Sequence, residues 1–349
     1  VVLEGDGVRF MGPDGGVVLK EERPVDTDWV EAEKNGCPHY MLKEILEQPE
    51  ALRHTLQQDD GLLLSVAMDV LRSQQVVFTA CGTSRHAALI GRYLFSHVAK
   101  KFSDVVMASE FGYFADSVDR HTLVIAVSQS GETADVLDGV RLAKQAGAEI
   151  VAVVNRPSCL LADEADHVIR LNCGPEVGVA ATKTFVSQLS IFYQLAFAML
   201  NRLGEARADL EQGAGRLEDL LGSLNHSLQR LAWELREKEH AYYLGRGINF
   251  ATAMEGALKM KEISYIHAEG MPAGELKHGT LALIESGTPV VAICPGDSTH
   301  EETLANAMEA KARGGRIIGV SDVESEVYDD WIQIPQTPAL LYPVMLVVP

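Results

Sequence analysis

Apolar residues recur along the chain in two alternating rhythms. Short, nearly continuous apolar runs at Val76–Thr79, Thr122–Val127, Ile150–Val154 and His167–Leu171 read as buried strands. Between and after them, Ser84–Lys100, Thr133–Gln145 and the long segment Ala180–Leu203 carry helical spacing. Strand and helix in strict turn predict parallel strands joined by crossover helices, an α/β architecture. The segment Pro38–Arg72 is helix-patterned and forms a lead-in, with a boundary at Pro49. From Gly204 to about Lys238 the chain is charged and again helix-patterned, which predicts a helical connector, and the strand–helix alternation resumes at Ala241. The first residues, Val1 to about Asp26, differ: short alternating strands are broken by Gly5, Gly7, Gly12 and Gly15–Gly16, a β-hairpin pattern too small to bury a core. At the other end Leu340–Pro349 reads as an apolar element without a cap.

The second half appears as a repeat of the first. Thr122–Val127 aligns with Thr288–Ile293, and Ala143–Gly147 aligns with Ala310–Gly314; in each copy that helix leads into an apolar strand, Ile150–Val154 or Arg316–Val320. A Gly-bearing turn follows the first strand of each copy, Cys81–Ser84 and Gly245–Gly247. Duplication of a βαβ unit explains this economically, against the alternative of chance similarity between two doubly wound sheets. A length of 349 residues accommodates two such domains.

Composition narrows the function classes. The 30 Lys and Arg against 49 Asp and Glu give a net charge of −19, which repels phosphate backbones and argues against a nucleic-acid partner. No run approaches the roughly 20 apolar residues of a membrane span. Five scattered cysteines, Cys37, Cys81, Cys159, Cys173 and Cys294, include no C-x-x-C pair, so neither a disulfide framework nor a zinc site is expected, and a reducing, cytoplasmic setting fits. No signal peptide is visible from Val1, and the sequence reads as cut from something longer.

Two stretches carry candidate chemistry. Ser128-Gln-Ser-Gly-Glu-Thr133 follows a buried strand and opens a helix, where backbone N–H groups, the positive helix end and three hydroxyls can wrap a monophosphate without any lysine. It is not a Walker loop, and Thr83-Ser84 supplies further hydroxyls at the same sheet edge. The alternative is a Ser/Thr-rich helix cap that binds nothing. The duplicate loop, Cys294–Ser298, has lost the pattern, as expected if one copy alone binds. The second stretch is a helix from about Ala251 to Ile266, where Glu255, Lys259 and Glu262 share one face and put an ammonium within reach of two carboxylates. A solvated ion-pair ladder is the competing reading. The ionisable run that follows, through His267-Ala-Glu269 to Lys277-His278-Gly279, suggests a site loop. No P-C-x-x-C accompanies His267-Ala-Glu269, so no metal is implied, and Gly245-Arg-Gly247 lacks the third glycine of a dinucleotide loop. No cofactor is expected.

Four segments together, Ser128-Gln-Ser-Gly-Glu-Thr-Ala134, Gly178-Val-Ala-Ala-Thr-Lys183, Leu258–Glu269 and Gly274-Glu-Leu-Lys-His-Gly279, resemble the isomerase half of the glutamine–fructose-6-phosphate aminotransferases, the glucosamine-6-phosphate synthase family. The resemblance runs from about His39 to Pro349. It implies two tandem sugar-isomerase (SIS) domains, each a doubly wound, flavodoxin-like parallel sheet between helices, at 39–220 with its helical lead-in and 221–349 with the connector. Residues 1–38 would then be the remnant and linker of a preceding glutaminase domain. Carried over by position, Ser128, Gln129, Ser130 and Thr133 form the phosphate cradle and Thr83 and Ser84 contact the sugar. Glu262 is the base that moves a proton between C1 and C2, Lys259 its charged neighbour, and His278 the acid–base group for ring opening, supplied from the other subunit of a homodimer. Fructose 6-phosphate and glucosamine 6-phosphate are the implied ligands. Ala181 stands where the family usually has Ser, and the lysine that forms the family's Schiff base lies in a tail beyond Pro349. Two other functions are weighed: a double-SIS deglycase or deaminase of fructosamine or amino-sugar phosphates, which has no use for a glutaminase remnant, and a non-catalytic sugar-phosphate sensor, which has no use for Glu262, Lys259 and His278.

Overall fold

The computed structural model of the chain describes residues 2–5, 7–19, 33–223 and 225–349. The chain forms two compact units, Val1–Glu33 and Lys34–Pro349. In the first, β1 (Val2–Glu4), β2 (Gly7–Met11) and β3 (Val17–Val18) make a three-stranded antiparallel sheet. Its turn is closed by Gly12 N–H on the Gly16 carbonyl and by Asp14, whose carboxylate accepts from Gly16 N–H, while Gly15 takes a positive φ of 76°. Val8, Met11 and Val17 are exposed, in keeping with a sheet too small for a core. The part of the expected hairpin segment that runs from residue 20 to 26 lies outside the described residues.

The second unit opens with α1 (Tyr40–Leu46), α2 (Gln48–Thr55, with Pro49 in its first turn) and α3 (Asp60–Arg72, capped by the Asp59 carboxylate). Then follow β4 (Gln75–Ala80), α4 (Gly82–Ala99), β5 (Asp104–Met107), β6 (Thr122–Ser128), α5 (Ala134–Gln145), β7 (Glu149–Val154), α6 (Leu160–Glu164), β8 (His167–Arg170) and α7 (Lys183–Ala198). Helices α8 (Leu203–Ser223) and α9 (Asn225–Leu235) form the predicted connector. The second series is β9 (His240–Gly245), α10 (Ile248–Ser264), β10 (His267–Pro272), β11 (Pro289–Ile293), α11 (His300–Ala312), β12 (Arg316–Ser321), β13 (Asp330–Gln333) and α12 (Tyr342–Leu346).

Two all-parallel five-stranded sheets result, in the orders β5-β4-β6-β7-β8 and β10-β9-β11-β12-β13. Numbered within each half, both orders are 2-1-3-4-5, the flavodoxin-like winding. The aligned strands of the sequence repeat, β6 with β11 and β7 with β12, occupy the same places in the two sheets, which is what duplication requires. Strand β6 is buried at every residue and β11 likewise, so their apolar runs were continuous and not alternating.

Phe78 of β4 lies 5.3 Å, centroid to centroid, from both Phe95 of α4 and Phe192 of α7, and all of α7 is buried. Helix α10 packs on α4 as well as on its own strands, so the two halves share a core.

The observed elements correct the sequence reading of the segment after α10. His267–Pro272, expected as part of a site loop, is the edge strand β10, paired in parallel with β9 from His267↔His240 to Pro272↔Gly245. Its polar residues disguise it because an edge strand exposes one side, and the inward positions are Ala268 and Met271. Gly270 permits the approach of α10: a Cβ there would stand 2.5 Å from the Met254 Cα. The rest of that stretch is the 3-10 helix Ala273–His278.

Candidate active site

In a 2-1-3-4-5 sheet the loops after the first and third strands part at the carboxyl edge and leave a crevice for a ligand. In the first half these are the β4–α4 turn, with Thr83 and Ser84, and the β6–α5 loop, with Ser128–Thr133; β4 and β6 are paired up to Ala80↔Val127, which sets the two loops side by side.

The β6–α5 loop is held in shape by its own hydroxyls. Ser128 Oγ accepts from Gly131 N–H at 3.1 Å and lies 3.0 Å from Thr133 Oγ1, while Ser130 Oγ accepts from Glu132 N–H at 3.1 Å. The Glu132 carboxylate turns away to accept Leu160 N–H, and the Gln129 carbonyl accepts Asn155 N–H. Thr133 is the N-cap residue of α5 yet makes no side-chain cap bond, so the first-turn N–H groups of a 12-residue helix face the crevice without a capping oxygen. Gly131 has φ +66°, and a Cβ there would run into Cys159 Sγ. Gly131→Ala is expected to destabilise the chain by about 2–4 kcal/mol, from left-handed strain plus overpacking, and thermal unfolding checks this.

The β4–α4 turn is tied to α10. Thr83 Oγ1 accepts from Lys259 Nζ at 3.1 Å and donates to Glu255 Oε1 at 2.9 Å. Ser84 Oγ accepts from Gln188 Nε2 of α7 at 2.9 Å, which leaves the Ser84 proton to donate elsewhere. Glu255, 1% exposed, also holds His86, whose Nδ1 is 2.7 Å from Oε2. A carboxylate only accepts, so Nδ1 is the protonated nitrogen. Lys259 is 3.5 Å from Glu255 and pairs with Glu262 on its other side. The predicted three-residue face therefore exists, but it is no solvated ladder: Glu255 is buried under the β4–α4 turn and Glu262 is the member that reaches solvent.

One ammonium lies between two carboxylates, Glu255 and Glu262. His278 stands apart. It is exposed at the end of the 3-10 helix after β10 and makes no hydrogen bond or ion pair with Glu262 or Lys259.

Residues the sequence reading did not single out shape the rest of the site. The loop containing Gly178–Lys183 is clamped by two carboxylates: Glu44 of α1 accepts from Val177 and Gly178 N–H, and Glu176 accepts from Thr182 N–H and from both the N–H and hydroxyl of Thr184. Burial pushes the Glu176 carboxyl above its ordinary value despite those donors. Lys183, 3% exposed, donates to Glu47 at 2.8 Å, and Lys43 adds a contact at 3.0 Å. Burial raises the Glu47 carboxyl, but the two ammonium groups outweigh it and hold Glu47 below its ordinary value. A depressed carboxylate stabilises the fold above its unfolded pKa and loses that contribution as pH falls through the folded one. Glu47→Gln is therefore expected to lower the melting temperature at pH 7 and to converge on the parent chain in acid; melting curves from pH 7 to 3 check this. Ala181 lines an apolar cavity of about 350 Å³ together with Phe185, Thr252, Glu255 and Lys259. The loop itself was among the segments that carry the resemblance, whereas Glu44 and Glu47 lie too far away in sequence to be read.

The SIS domain family model matches residues 70–198 and 234–329, one match on each sheet. The chain belongs to the SIS-domain family. Both SIS domains match in tandem, and the similarity extends beyond them. The glutamine–fructose-6-phosphate aminotransferase of Thermococcus kodakarensis is 46% identical over 361 residues, covering 100% of this chain and 60% of the relative, and that of Methanothermobacter thermautotrophicus is 43% identical, covering 100% and 59%. The chain thus spans about three-fifths of the length of these relatives. Among solved structures, the C-terminal domain of glucosamine-fructose-6-phosphate aminotransferase from Francisella tularensis superposes with a TM-score of 0.78 at 34% identity, covering 91% of this chain and 95% of that one. The resemblance read from the four sequence segments is borne out, as is the fold of two SIS sheets.

Proposed function

We propose that the chain is the sugar-isomerase half of a glucosamine-6-phosphate synthase, taking fructose 6-phosphate and ammonia to glucosamine 6-phosphate. The observation that carries this reading is the Thr83 bridge. It ties the turn beside the hydroxyl cradle to the Lys259–Glu262 pair, so a sugar whose phosphate sits on Ser128, Gln129, Ser130 and Thr133 can extend its carbon chain toward Glu262. In that pose Ser130 and Ser84, whose oxygens accept from within the protein, turn their protons to ligand oxygens, and the α5 N-terminus supplies positive potential that the chain's overall charge does not.

The proton transfer needs one base. Condensation of the ketose with ammonia makes an imine whose C1 proton is acidic, and Glu262 removes it and returns a proton at C2, converting the ketose skeleton to the aldose. Lys259, anchored from behind by Glu255 and Thr83, holds the Glu262 carboxylate in place and offsets charge as the enolamine forms. The Schiff-base lysine that the family resemblance implies lies outside this sequence, and so does the glutaminase that would supply ammonia.

The domain division falls at 39–220 and 221–349, with 1–38 the remnant and linker of a glutaminase domain. His278, exposed and unattached to its own Glu262, suits delivery to the site of a second copy, which supports a homodimer. Among the described residues no helix is long and apolar enough to cross a membrane, and all five cysteines are free, in keeping with a cytoplasmic enzyme.

Calorimetric titration with fructose 6-phosphate tests the reading. The parent chain is expected to bind in the micromolar-to-millimolar range, about 4–8 kcal/mol, and a folded Ser130→Ala, Thr133→Ala variant to lose the heat of the cradle site. Equal binding by both would place the phosphate elsewhere and overturn the cradle.

A further inference from the structure

A second cavity, of about 470 Å³, lies against the first turn of α4 and includes none of the cradle residues. Its walls take Gly82, Arg85 and His86 from that turn and Lys261 from α10, with Asp135 and Glu269 also on the lining. Arg85 is the unusual member. It is half-buried, its Nε is closed off from solvent with no hydrogen-bond partner, and it makes no ion pair among the described residues. Burial, and after it the like charge of Arg92, pulls its pKa below the ordinary value, with no carboxylate acting to raise it.

Other half-buried guanidinium groups here behave differently. Arg246 pairs with Glu302 at 2.8 Å and with Asn306, Arg207 with Asp60 at 2.6 Å, and Arg316 with Asp330 at 2.7 Å. A partly desolvated cation left without an anion costs free energy that a bound anion recovers. Lys261 makes no ion pair either, and α4 is an 18-residue helix whose N-cap residue, Cys81, offers no capping oxygen, so its first-turn N–H groups add positive potential to the same wall.

We propose that this cavity is a second anion site, in which Arg85, Lys261 and the α4 N-terminus bind a small molecule bearing a phosphate or carboxylate, distinct from the sugar-phosphate cradle. Asp135 and Glu269 restrict it to ligands that carry hydroxyl or amino groups on the remainder of the molecule. Because His86 lines the cavity and holds the buried Glu255 through Nδ1, two side chains, His86 and Glu255, connect a ligand here to the Lys259–Glu262 pair. Occupancy therefore bears on the isomerase site without competing for the cradle.

Calorimetric titration with inorganic phosphate tests this in four chains: the parent, the Ser130→Ala, Thr133→Ala variant, Arg85→Met, and all three substitutions together. Met keeps the apolar stem without the charge. The parent is expected to bind two equivalents, the cradle variant and Arg85→Met one each, and the triple variant to bind at least about 10-fold more weakly than the cradle variant. Arg85→Lys in the cradle background is expected to restore part of the binding, which separates lost charge from lost folding. A cradle variant that binds no phosphate, or whose titration is unchanged by Arg85→Met, overturns the second site, while Arg85→Met alone still reports the cradle. If Arg85→Met instead dissociates an oligomer in sedimentation and leaves the phosphate titrations unchanged, the anion is a carboxylate of a second copy and the proposal fails.

Discussion

Exchange of Glu262 for glutamine, in the full-length enzyme supplied with fructose 6-phosphate and ammonium, is expected to lower kcat by about 10²–10⁴-fold with little change in KM. Glutamine fills the same space and can still accept a hydrogen bond from Lys259, so the ion-pair partner is altered but the packing of α10 is not. What disappears is the carboxylate proposed to carry the proton between C1 and C2. In the proposed pose the phosphate sits on a different loop, so substrate affinity is expected to survive. A loss confined to KM would instead make Glu262 a binding residue, and an unchanged kcat would move the base elsewhere. Glucosamine 6-phosphate formation followed over a substrate series separates these results.

The second large effect belongs to Glu255. Its carboxylate is buried, accepts from His86 and Thr83, and forms an ion pair with Lys259. Glu255→Ala removes a buried anion paired with Lys259 and strands a buried imidazole N–H, so it is expected to cost about 3–5 kcal/mol of stability. The milder Glu255→Gln keeps the shape and accepts one or two of those bonds. It leaves Glu262 as the carboxylate beside Lys259, and kcat is expected to fall about 10-fold or more while the fold persists. Chemical denaturation of both variants, with activity of the glutamine variant, distinguishes a structural strut from a part of the catalytic charge balance. If Glu255→Gln is fully active, sharing of the ammonium has no bearing on the base.

How much of this was legible in sequence depended on range. Strands β6, β7 and β11 were readable because strands buried on both faces are apolar throughout, and the repeat was readable because the duplicated pieces kept both their order and their spacing. The form of the Ser128–Thr133 loop was legible for a similar reason: strand end, Ser-x-Ser-Gly and helix start are contiguous. Strand β10 was not, because its exposed side carries His267 and Glu269, which look like site chemistry when read as a string. The burial of Glu255 was also hidden. Spacing put Glu255, Lys259 and Glu262 on one face, but the partner that buries that face, the β4–α4 turn with Thr83 and His86, lies 172 and 169 residues away. Likewise Glu44 clamps Val177 from 133 residues away, and no pattern within a helix announces it. The roles given to Glu262, Lys259 and His278 came from resemblance; local spacing alone would have left a salt-bridge ladder as the better reading.

The second half bears on the same question. It keeps the winding of the first, yet at its crevice Asp297 occupies the loop, accepting from Thr299 N–H, the Thr299 hydroxyl and Asn249 Nδ2. A carboxylate already stands where an anionic ligand would be bound, which explains physically why Cys294–Ser298 has no cradle chemistry.

The position of the phosphate in a crystal of this chain soaked with glucosamine 6-phosphate tests the central claim most directly. Phosphate oxygens within hydrogen-bond distance of Ser128, Ser130 and Thr133, with C1 and C2 turned toward Glu262, are the result expected. A phosphate seated at Cys294–Ser298 in the second half, or a sugar in the first half pointing away from α10, would contradict it.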